Sequence, residues 1–283
     1  MPEGPEIRRA ADKVATALVG QSLEQVFFAR EHFPKLARQI KRLEGQRVLR
    51  VDTHGKAMLT RLDGGQTIYS HNQLYGRWCI CKRGELPDTK RSLRMALHTA
   101  EQSALLYSAS EIELLTAAGL TRHPFLSRLG PDVLDKELAW KGLRDRAISS
   151  EFRRRSLAAL YLDQHFLAGI GNYLRAEILF AAHLSPWRKP AELTSAELSL
   201  LSRQTITLAR RSYKTGGITN SPVLAAQLKA ALRQAQAKFD KEDYRFAVFR
   251  RAGKACYACG TRIERVNVGS HALYYCPECQ SGS

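Results

Sequence analysis

The spacing of apolar residues predicts a β-rich first part of the chain that begins with a single helix. Ile7, Ala11, Val14 and Leu18 recur at the period of one helix face, and Gly20 supplies a stop signal. From residue 22 to residue 108 the pattern changes to short β-rich runs, which predicts a sandwich or barrel with this helix packed on it. The predicted strands span residues 26–29, 47–51, 57–62, 67–69, 78–81 and 105–107.

The rest of the chain has a mainly helical pattern. Pro124 and the helix breakers at residues 130–132 interrupt any regular element, so we expect a domain boundary near them. Thr194 and Glu197 have the spacing of a capping box ahead of an apolar helix face. Residues 214–222 contain two adjacent glycines and are predicted to form a loop. Other helix faces are marked by Leu157, Leu160, Tyr161 and Leu162, by residues 173–182, and by Leu224, Leu228, Leu232 and Phe239.

Four cysteines near the carboxyl end have the spacing of a metal site. Cys256 and Cys259 form one CxxC pair, and Cys276 and Cys279 form a second pair after sixteen residues, which is enough chain for a hairpin. Four thiolates would close the coordination sphere of one zinc ion, so the predicted zinc is structural. Unliganded or redox-active cysteines are the alternative. The remaining cysteines, Cys79 and Cys81, are predicted to pack on one face of a strand.

Composition adds a strong positive charge to this picture. With 44 lysine and arginine residues against 27 aspartate and glutamate residues, the 283-residue chain has a net charge of +17. Such an excess favours polyanionic partners such as nucleic acid. The arginine runs at 153–155, 210–211 and 250–251 are individually predicted to be solvated, with some of them lining a groove.

No membrane span and no secretory leader are predicted. No window approaches about 18 uninterrupted apolar residues. Glu3, Glu6 and Asp12 lie where a leader would be basic and then apolar. We therefore expect a cytoplasmic protein without a membrane partner.

An apolar fraction of 44% is enough to fill ordinary cores, and the length of the chain suits about two domains.

The amino terminus carries residues suited to covalent catalysis by an amine. A small residue such as Pro2 permits removal of Met1, which leaves a secondary amine at the chain end. Such an amine can attack an aldehyde carbon and form an iminium ion, which acts as an electron sink. Glu3 lies beside it and could transfer protons. From spacing alone, a frayed and solvated terminus is the alternative.

Two further segments suit contacts with a nucleic acid. Gln73, Leu74 and Tyr75 combine an amide, an aliphatic and an aromatic side chain on a predicted loop, which suits filling the gap left by an extruded base. Placement of Leu74 and Tyr75 in the core is the alternative. At residues 169–172, a Gly-Ile-Gly-Asn turn lets backbone amides and the Asn172 side chain hold a phosphate, or it merely joins two helices.

Taken in order, these motifs resemble one enzyme family. They are Pro2-Glu3-Gly4-Pro5-Glu6, Lys56 after His54-Gly55, residues 71–76, Leu129-Gly130-Pro131-Asp132, the turn at 169–172 and the two CxxC pairs. The chain resembles the family of formamidopyrimidine-DNA glycosylase and endonuclease VIII, and Gly4 with residues 73–75 is more similar to the endonuclease VIII branch. The resemblance implies an α+β multidomain fold. Its parts are an N-terminal β-sandwich with a packed helix, a helix-two-turn-helix domain and a C-terminal zinc-ribbon-like hairpin, with DNA held in the cleft between the halves.

The resemblance also implies roles for the residues at matching positions. Pro2 would be the nucleophile that attacks C1′, Glu3 would protonate the sugar, and Lys56 would contact phosphate and act in β-elimination. Considered without the resemblance, Lys56 is only a surface charge. Glu6 matches a second acidic residue that lies near the amine in the family. The implied DNA-binding residues are Gln73, Leu74 and Tyr75 as void fillers and Arg128 and Asn172 as phosphate contacts.

The implied segments are a catalytic sandwich domain at residues 1–124, a linker at 125–135, a helix-two-turn-helix domain at 136–240 and a zinc finger at 241–283.

This sequence departs from the family pattern at two places. His271 stands where the family usually has an arginine at the hairpin tip that is associated with δ-elimination. Residues 220–238 form a predicted helical stretch that does not match the endonuclease VIII pattern, and it follows the loop that closes over the extruded base in relatives.

We therefore predict a bifunctional DNA glycosylase and abasic-site lyase of base-excision repair. It would excise oxidised pyrimidines, form a Schiff base through Pro2, and nick the strand by β-elimination with or without δ-elimination. Its partner would be double-stranded DNA with damaged bases or abasic sites, its cofactor one structural zinc, and its default state a monomer associated with a bacterial nucleoid. The alternatives are a formamidopyrimidine-type enzyme acting on oxidised purines and a non-catalytic zinc-ribbon protein that binds damaged DNA.

Overall fold

The computed structural model describes residues 2–234 and 241–281. The chain divides into two compact units, Met1–Leu129 and Gly130–Ser283. This division falls inside the predicted linker at 125–135. The predicted finer segments, 1–124, 136–240 and 241–283, stay predictions, and the residues 235–240 at one of their ends lie outside the described part. None of the described helices has the length and apolar character needed to cross a membrane.

In residues 2–129 the strands form two four-stranded antiparallel sheets. One sheet has the order β1-β6-β7-β5, and the other has the order β2-β3-β4-β8. Their inner faces pack together with the first helix around one core, as the predicted sandwich requires. The elements are α1 (Gly4–Leu18), β1 (Gln25–Phe28), α2 (Pro34–Ala37), β2 (Val48–His54), β3 (Ala57–Leu62), β4 (Thr67–His71), β5 (Arg77–Lys82), β6 (Leu93–His98), β7 (Gln102–Tyr107), β8 (Glu111–Leu115) and α3 (Ala117–Arg122).

Helix α1 forms where the apolar period predicts it, and it begins at Gly4. Pro5 lies in its first turn, where the missing N–H costs nothing and the fixed φ suits a helix. Ile7, Val14 and Leu18 are buried, and burial of each such side chain contributes roughly 1.5–3 kcal/mol. The chain leaves the helix at Val19, which is extended, and the next residue, Gly20, adopts a φ of +82°, so the helix ends beside the predicted stop. The buried face fixes how α1, and thus the amino terminus, lies on the sandwich.

Strands β6 and β8 are absent from the sequence prediction. In β6, Arg94 interrupts the apolar pattern, and the register shifts between Leu93 and Met95. In β8, glutamates flank Ile112, which is the only residue of that strand with a fully buried side chain. Both strands are recognisable only through their pairing with neighbours, which local composition does not encode.

The second unit consists of helices followed by a hairpin. The predicted capping box is confirmed: Thr194 Oγ1 accepts the Glu197 N–H at 3.2 Å, and Glu197 Oε2 accepts the Thr194 N–H at 2.7 Å. The helix predicted from Leu224 is present, although Phe239, assigned to it from sequence, lies outside the described residues. The elements are α4 (Trp140–Ala147), α5 (Leu157–Leu160), α6 (Asn172–Ala181), α7 (Ser195–Thr215), α8 (Pro222–Gln234), α9 (Lys241–Arg245), β9 (Glu264–Val268) and β10 (His271–Tyr275).

Gly130, at the start of the second unit, fills a position without room for a side chain. A Cβ there would lie against the carbonyl oxygen of His165 and 2.8 Å from that of Phe166. Because both obstacles are backbone atoms, they cannot turn aside as a side chain could. The close approach therefore requires glycine whatever the backbone conformation.

We predict that Gly130→Ala destabilises the protein, because the backbone at residues 165 and 166 must shift. The expected loss in the free energy of unfolding is about 3 kcal/mol, the upper end for an overpacked site. Urea or thermal denaturation of the full chain measures it. Gly142→Ala is the matched control: its Cβ meets nothing within 4 Å inside α4, so a gain of about 0.5–1 kcal/mol is expected. Equal stabilities of the two variants would contradict the packing argument.

Candidate active site and zinc site

The amino terminus is fixed by the first turn of α1. Glu3 is the N-cap residue and is only 2% exposed, whereas Pro2 before it is half-buried. The Glu6 Oε2 atom accepts a hydrogen bond from the Glu3 backbone N–H at 3.1 Å. Glu6 thus acts on the helix end, which gives the second acidic residue a structural role. A frayed terminus is wrong for residues 2–6.

Lys56 lies at the turn between β2 and β3, next to Gly55, whose φ is +60°. The Lys56 side chain is half-buried, and this burial lowers its pKa, while the negative charge of Glu3 opposes the shift. The ammonium group is therefore within electrostatic range of the Glu3 carboxylate. The alternative of a fully solvated surface charge is wrong, and the structure brings Lys56 and Glu3 together.

His71 belongs to the same neighbourhood, although sequence analysis assigned it no role. It ends β4 and pairs with Ala57, the residue after Lys56. Burial lowers the pKa of His71, the Lys56 charge lowers it further, and the charge of Glu111 opposes both. The imidazole Nδ1 atom accepts the backbone N–H of Gln73 at 3.2 Å. In the sequence, the one signal for the placement of His71 near Lys56 was its position at the end of a strand and before a polar loop.

The predicted void fillers lie on the loop between β4 and β5. Leu74 is 53% exposed and Tyr75 is 69% exposed, so their placement in the core is wrong. The loop backbone is held at its far end by Arg91, whose Nη1 donates to the Tyr75 carbonyl oxygen at 2.6 Å. Gln73 has a positive φ of 46°, and its side-chain amide donates to Glu111 Oε1 at 2.5 Å. The loop thus presents one aliphatic and one aromatic side chain to solvent.

Arg128 is exposed at the end of a short 3₁₀ turn, Leu126–Arg128. Its Nε atom donates to the Pro124 carbonyl oxygen at 2.7 Å, which ties the side chain to its own turn. His123 anchors the turn, because its buried Nδ1 atom accepts the N–H groups of Phe125 and Leu126, each at 3.2 Å. A rigid turn that displays a guanidinium group suits a phosphate contact.

Asn172 is the first residue of α6 and follows Gly171, as the predicted turn requires. Its Nδ2 atom donates to the Ala272 carbonyl oxygen in β10 at 2.6 Å. Arg175, which is fully buried, donates to Asn172 Oδ1 at 2.5 Å and to the same Ala272 oxygen at 3.1 Å. The helix start is therefore tied to the cysteine hairpin by a buried arginine that sequence analysis did not identify.

The four predicted metal ligands converge at the base of the hairpin of β9 and β10. All four sulfur atoms lie within 4.8 Å of one another, with 3.8 Å between Cys256 and Cys279 and 3.5 Å between Cys259 and Cys276. A tetrahedral zinc site with Zn–S bonds of about 2.3 Å needs sulfur–sulfur distances of about 3.8 Å, so the donor set fits one zinc ion. Hydrogen bonds with Thr261 lower the pKa of Cys259, whereas burial raises the pKa of Cys276 and of Cys279, so a bound cation is needed to hold all four as thiolates.

His271, the residue at the usual arginine position, is exposed at the tip of this hairpin. The turn is closed by Gly269, whose φ is +60°, and Ser270 Oγ lies 3.1 Å from His271 Nδ1. Since two of the cysteines precede β9 and two follow β10, the tip lies at the end of the hairpin opposite the zinc site. One arginine prediction is wrong: Arg251 is buried at 2% exposure and stacks 3.5 Å from the Tyr257 ring instead of lying on a solvated face.

Three family models match successive segments of the chain. Residues 1–110 match the formamidopyrimidine-DNA glycosylase N-terminal domain, residues 129–222 match the helix-two-turn-helix domain of that enzyme, and residues 253–282 match its zinc finger. The fold and the four-cysteine site thus define a zinc-finger DNA glycosylase.

Relatives narrow this class further. The chain is 46% identical to endonuclease 8 of Salmonella arizonae over 280 residues and to that of Pectobacterium atrosepticum over 281 residues, covering 99% of this chain and 100% of each relative. Among solved structures, a formamidopyrimidine-DNA glycosylase from Thermus thermophilus has a TM-score of 0.75 and 30% identity, with both chains fully covered. A complex of the Lactococcus lactis enzyme with abasic-site DNA has a TM-score of 0.77 at 18% identity, covering 99% of this chain and 100% of that one.

The chain belongs to the formamidopyrimidine-DNA glycosylase and endonuclease VIII family, in its endonuclease VIII branch. It is a bifunctional DNA glycosylase and abasic-site lyase of base-excision repair with one structural zinc. The predicted fold class is confirmed as well.

We predict that Cys279→Ser removes zinc and unfolds the hairpin, since a structural zinc site supplies much of the folding free energy of so small a module. Metal analysis should fall from one zinc per chain to none, and amide exchange of residues 253–281 should accelerate. Cys81→Ser is the control, because Cys81 packs in the sandwich and should leave the zinc content unchanged. Retention of a full equivalent of zinc in Cys279→Ser would contradict the assignment.

Proposed function

We propose that the Pro2 amine, Glu3 and Lys56 carry out the glycosylase and lyase chemistry on oxidised pyrimidines in duplex DNA. The observation that supports this proposal is that the charge of Glu3 acts on the pKa of Lys56. Glu3 is the N-cap residue of α1 and directly follows Pro2. The enzyme acts on DNA of the bacterial nucleoid.

In the proposed first step, the unprotonated secondary amine of Pro2 attacks C1′ of the damaged nucleoside. The bond between C1′ and the base breaks, the base leaves with the bonding electrons and takes up a proton, and ring opening gives an iminium ion between Pro2 and the sugar. The Glu3 carboxylate takes up the proton that the Pro2 nitrogen loses as the new bond forms, and it passes this proton to the sugar oxygen when the ring opens, while water protonates the departing base. The positive end of α1, which begins two residues later, disfavours the ammonium form and so favours the nucleophile.

In the second step, the iminium ion acidifies the C2′ proton. Neutral Lys56 accepts that proton, the electrons move toward the iminium nitrogen, and the bond to the 3′ phosphate breaks, which nicks the strand by β-elimination. Hydrolysis of the Schiff base then releases Pro2. A second elimination on the 5′ side would rely on His271 for the phosphate contact that an arginine makes elsewhere in the family.

DNA binding in this proposal uses residues from both units. Arg128 and Asn172 contact the phosphates that flank the extruded nucleotide, and Gln73, Leu74 and Tyr75 occupy the space it leaves. Flipping costs a few kcal/mol and least at damaged or mispaired bases, which contributes to selectivity. The exposure of Leu74 and Tyr75 supports a wedge that is already presented before DNA binds.

The choice of oxidised pyrimidines rests on the identity to proteins named endonuclease 8. Structures of the Lactococcus lactis formamidopyrimidine-DNA glycosylase contain DNA with an oxidised pyrimidine and, for a mutant of that enzyme, DNA with Fapy-dG, so the fold itself accommodates both lesion classes. A panel of single-lesion duplexes therefore decides between them, with preferential cleavage of the pyrimidine lesions expected.

The proposed nucleophile is tested by trapping. Untagged, zinc-replete protein incubated with an abasic-site duplex and borohydride should form a stable covalent adduct, because reduction converts the iminium ion to an amine. Peptide mapping should place the sugar on the amino-terminal proline. An N-terminal tag should abolish trapping, whereas a C-terminal tag should not. An adduct mapped to Lys56, or none with untagged protein, would contradict the scheme.

The lyase rate should rise with pH as Lys56 loses its proton. Burial lowers the pKa of Lys56 below its ordinary value, so the neutral amine becomes available at lower pH than for a solvated lysine. Single-turnover cleavage of a preformed abasic site should increase through this lowered pKa and then level off. Lys56→Arg should lose the rising limb, since arginine stays protonated. Lys35→Arg, at an exposed site, is the control, and an unchanged profile in Lys56→Arg would assign the base elsewhere.

A further inference from the structure

Glu111 lies next to the proposed wedge although no motif singles it out. It begins β8 and pairs with His71, the last residue of β4, after which the loop of residues 72–76 begins. The pairing of the two strands therefore carries the Glu111 carboxylate to the place where the loop leaves the sheet.

The two carboxylate oxygens of Glu111 have different contacts. Oε1 accepts the Gln73 side-chain amide at 2.5 Å, while Oε2 accepts the hydroxyl of Tyr69 at 3.4 Å. Tyr69 is fully buried, and its burial together with the nearby Glu111 charge raises its pKa, so it remains a hydrogen-bond donor. Glu111 thus links a fixed side chain of the sheet to a side chain of an exposed loop.

The Gln73 backbone requires such a support. Its φ of 46° lies in the left-handed region, which costs a residue with a Cβ free energy unless its surroundings compensate. The Gln73 N–H donates to His71 Nδ1 at 3.2 Å, so backbone and side chain are both held from the end of β4 and its neighbour β8. With Gln73 fixed in this way, Leu74 and Tyr75 follow it into solvent.

We propose that Glu111 is a positioning residue that holds Gln73 and thereby presents Leu74 and Tyr75 for insertion into the duplex. Glu111 acts through Gln73 and touches no reacting atom. The inference rests on the proposed wedge role of residues 73–75. In this proposal the Glu111 carboxylate, on the edge strand β8, orders the loop before DNA binds. This ordering lowers the conformational entropy that the loop loses on insertion.

The test compares a substrate that must be flipped with one that needs no flipping. Glu111→Ala should lower the single-turnover excision of a damaged base from duplex DNA about tenfold, the effect of losing one hydrogen bond to a charged group. Cleavage of a single-stranded abasic oligonucleotide should change less than about twofold, because no wedge is needed there. Glu111→Gln should restore duplex excision, since its amide oxygen still accepts from Gln73. Glu101→Ala, which removes an exposed carboxylate from another turn of the same unit, should behave as wild type on both substrates.

A double-mutant cycle tests whether Glu111 acts through Gln73. Gln73→Ala and the Gln73→Ala, Glu111→Ala pair should excise the duplex lesion at the same rate. If Glu111→Ala also loses single-stranded cleavage, Glu111→Asp decides, because it keeps the charge but withdraws the acceptor from Gln73, and it should show the duplex-specific loss. Additive losses in the cycle, or full duplex activity in Glu111→Asp, would overturn the proposal. The wild-type protein is measured on both substrates as the reference. A wild-type protein that cleaves neither substrate would contradict the proposed function, and this result is distinct from a failure of the Glu111 proposal.

Discussion

One buried carboxylate holds the second unit together. Glu177, in the middle of α6, is 2% exposed, and a charge so removed from water is tolerated only when hydrogen bonds replace its hydration. Its oxygens accept three consecutive backbone N–H groups, those of residues 247–249, at 2.8–2.9 Å, and the Thr219 hydroxyl at 2.6 Å. The segment that leads into the zinc hairpin is thereby fixed to the helix whose first residue is Asn172. Loss of this carboxylate would leave three backbone N–H groups without an acceptor in the interior, whereas the Thr219 hydroxyl also has the Arg245 carbonyl oxygen at 3.0 Å.

Arg175 completes the arrangement from the same helix. Its guanidinium group reaches the Ala158 carbonyl oxygen at 3.0 Å as well as Asn172 and Ala272, so it joins α5, the start of α6 and β10. Two buried charges of opposite sign, two residues apart, therefore secure the hairpin itself and the segment that leads into it. The zinc ion organises the hairpin internally, whereas these charges determine where the hairpin lies on the helical domain. The position of Asn172 for its proposed phosphate contact depends on both the zinc site and these two side chains.

Local rules predicted the parts of this protein that are encoded locally. The apolar period of α1, the capping box of α7 and the CxxC spacing each depend on residues a few positions apart, and each was confirmed. By contrast, Glu177 binds residues about 70 positions away and Arg175 binds Ala272 across 97 positions, so no window of sequence contains both partners. The exposure of Leu74 likewise follows from its place on the loop that leaves the sheet at the end of β4 and not from its apolar side chain.

The same distinction explains why resemblance was needed to find the proposed catalytic groups. A proline, a glutamate and a lysine have no pattern that separates chemistry from surface, and Lys56 acquires its lowered pKa only when the β2–β3 turn is packed in the sandwich. The positive charge of the whole chain and this burial act in the same direction, because both disfavour an ammonium group. DNA phosphates act in the opposite direction. A neutral Lys56 in the complex therefore depends on burial that the fold supplies before DNA arrives, with exclusion of water by the duplex preserving it.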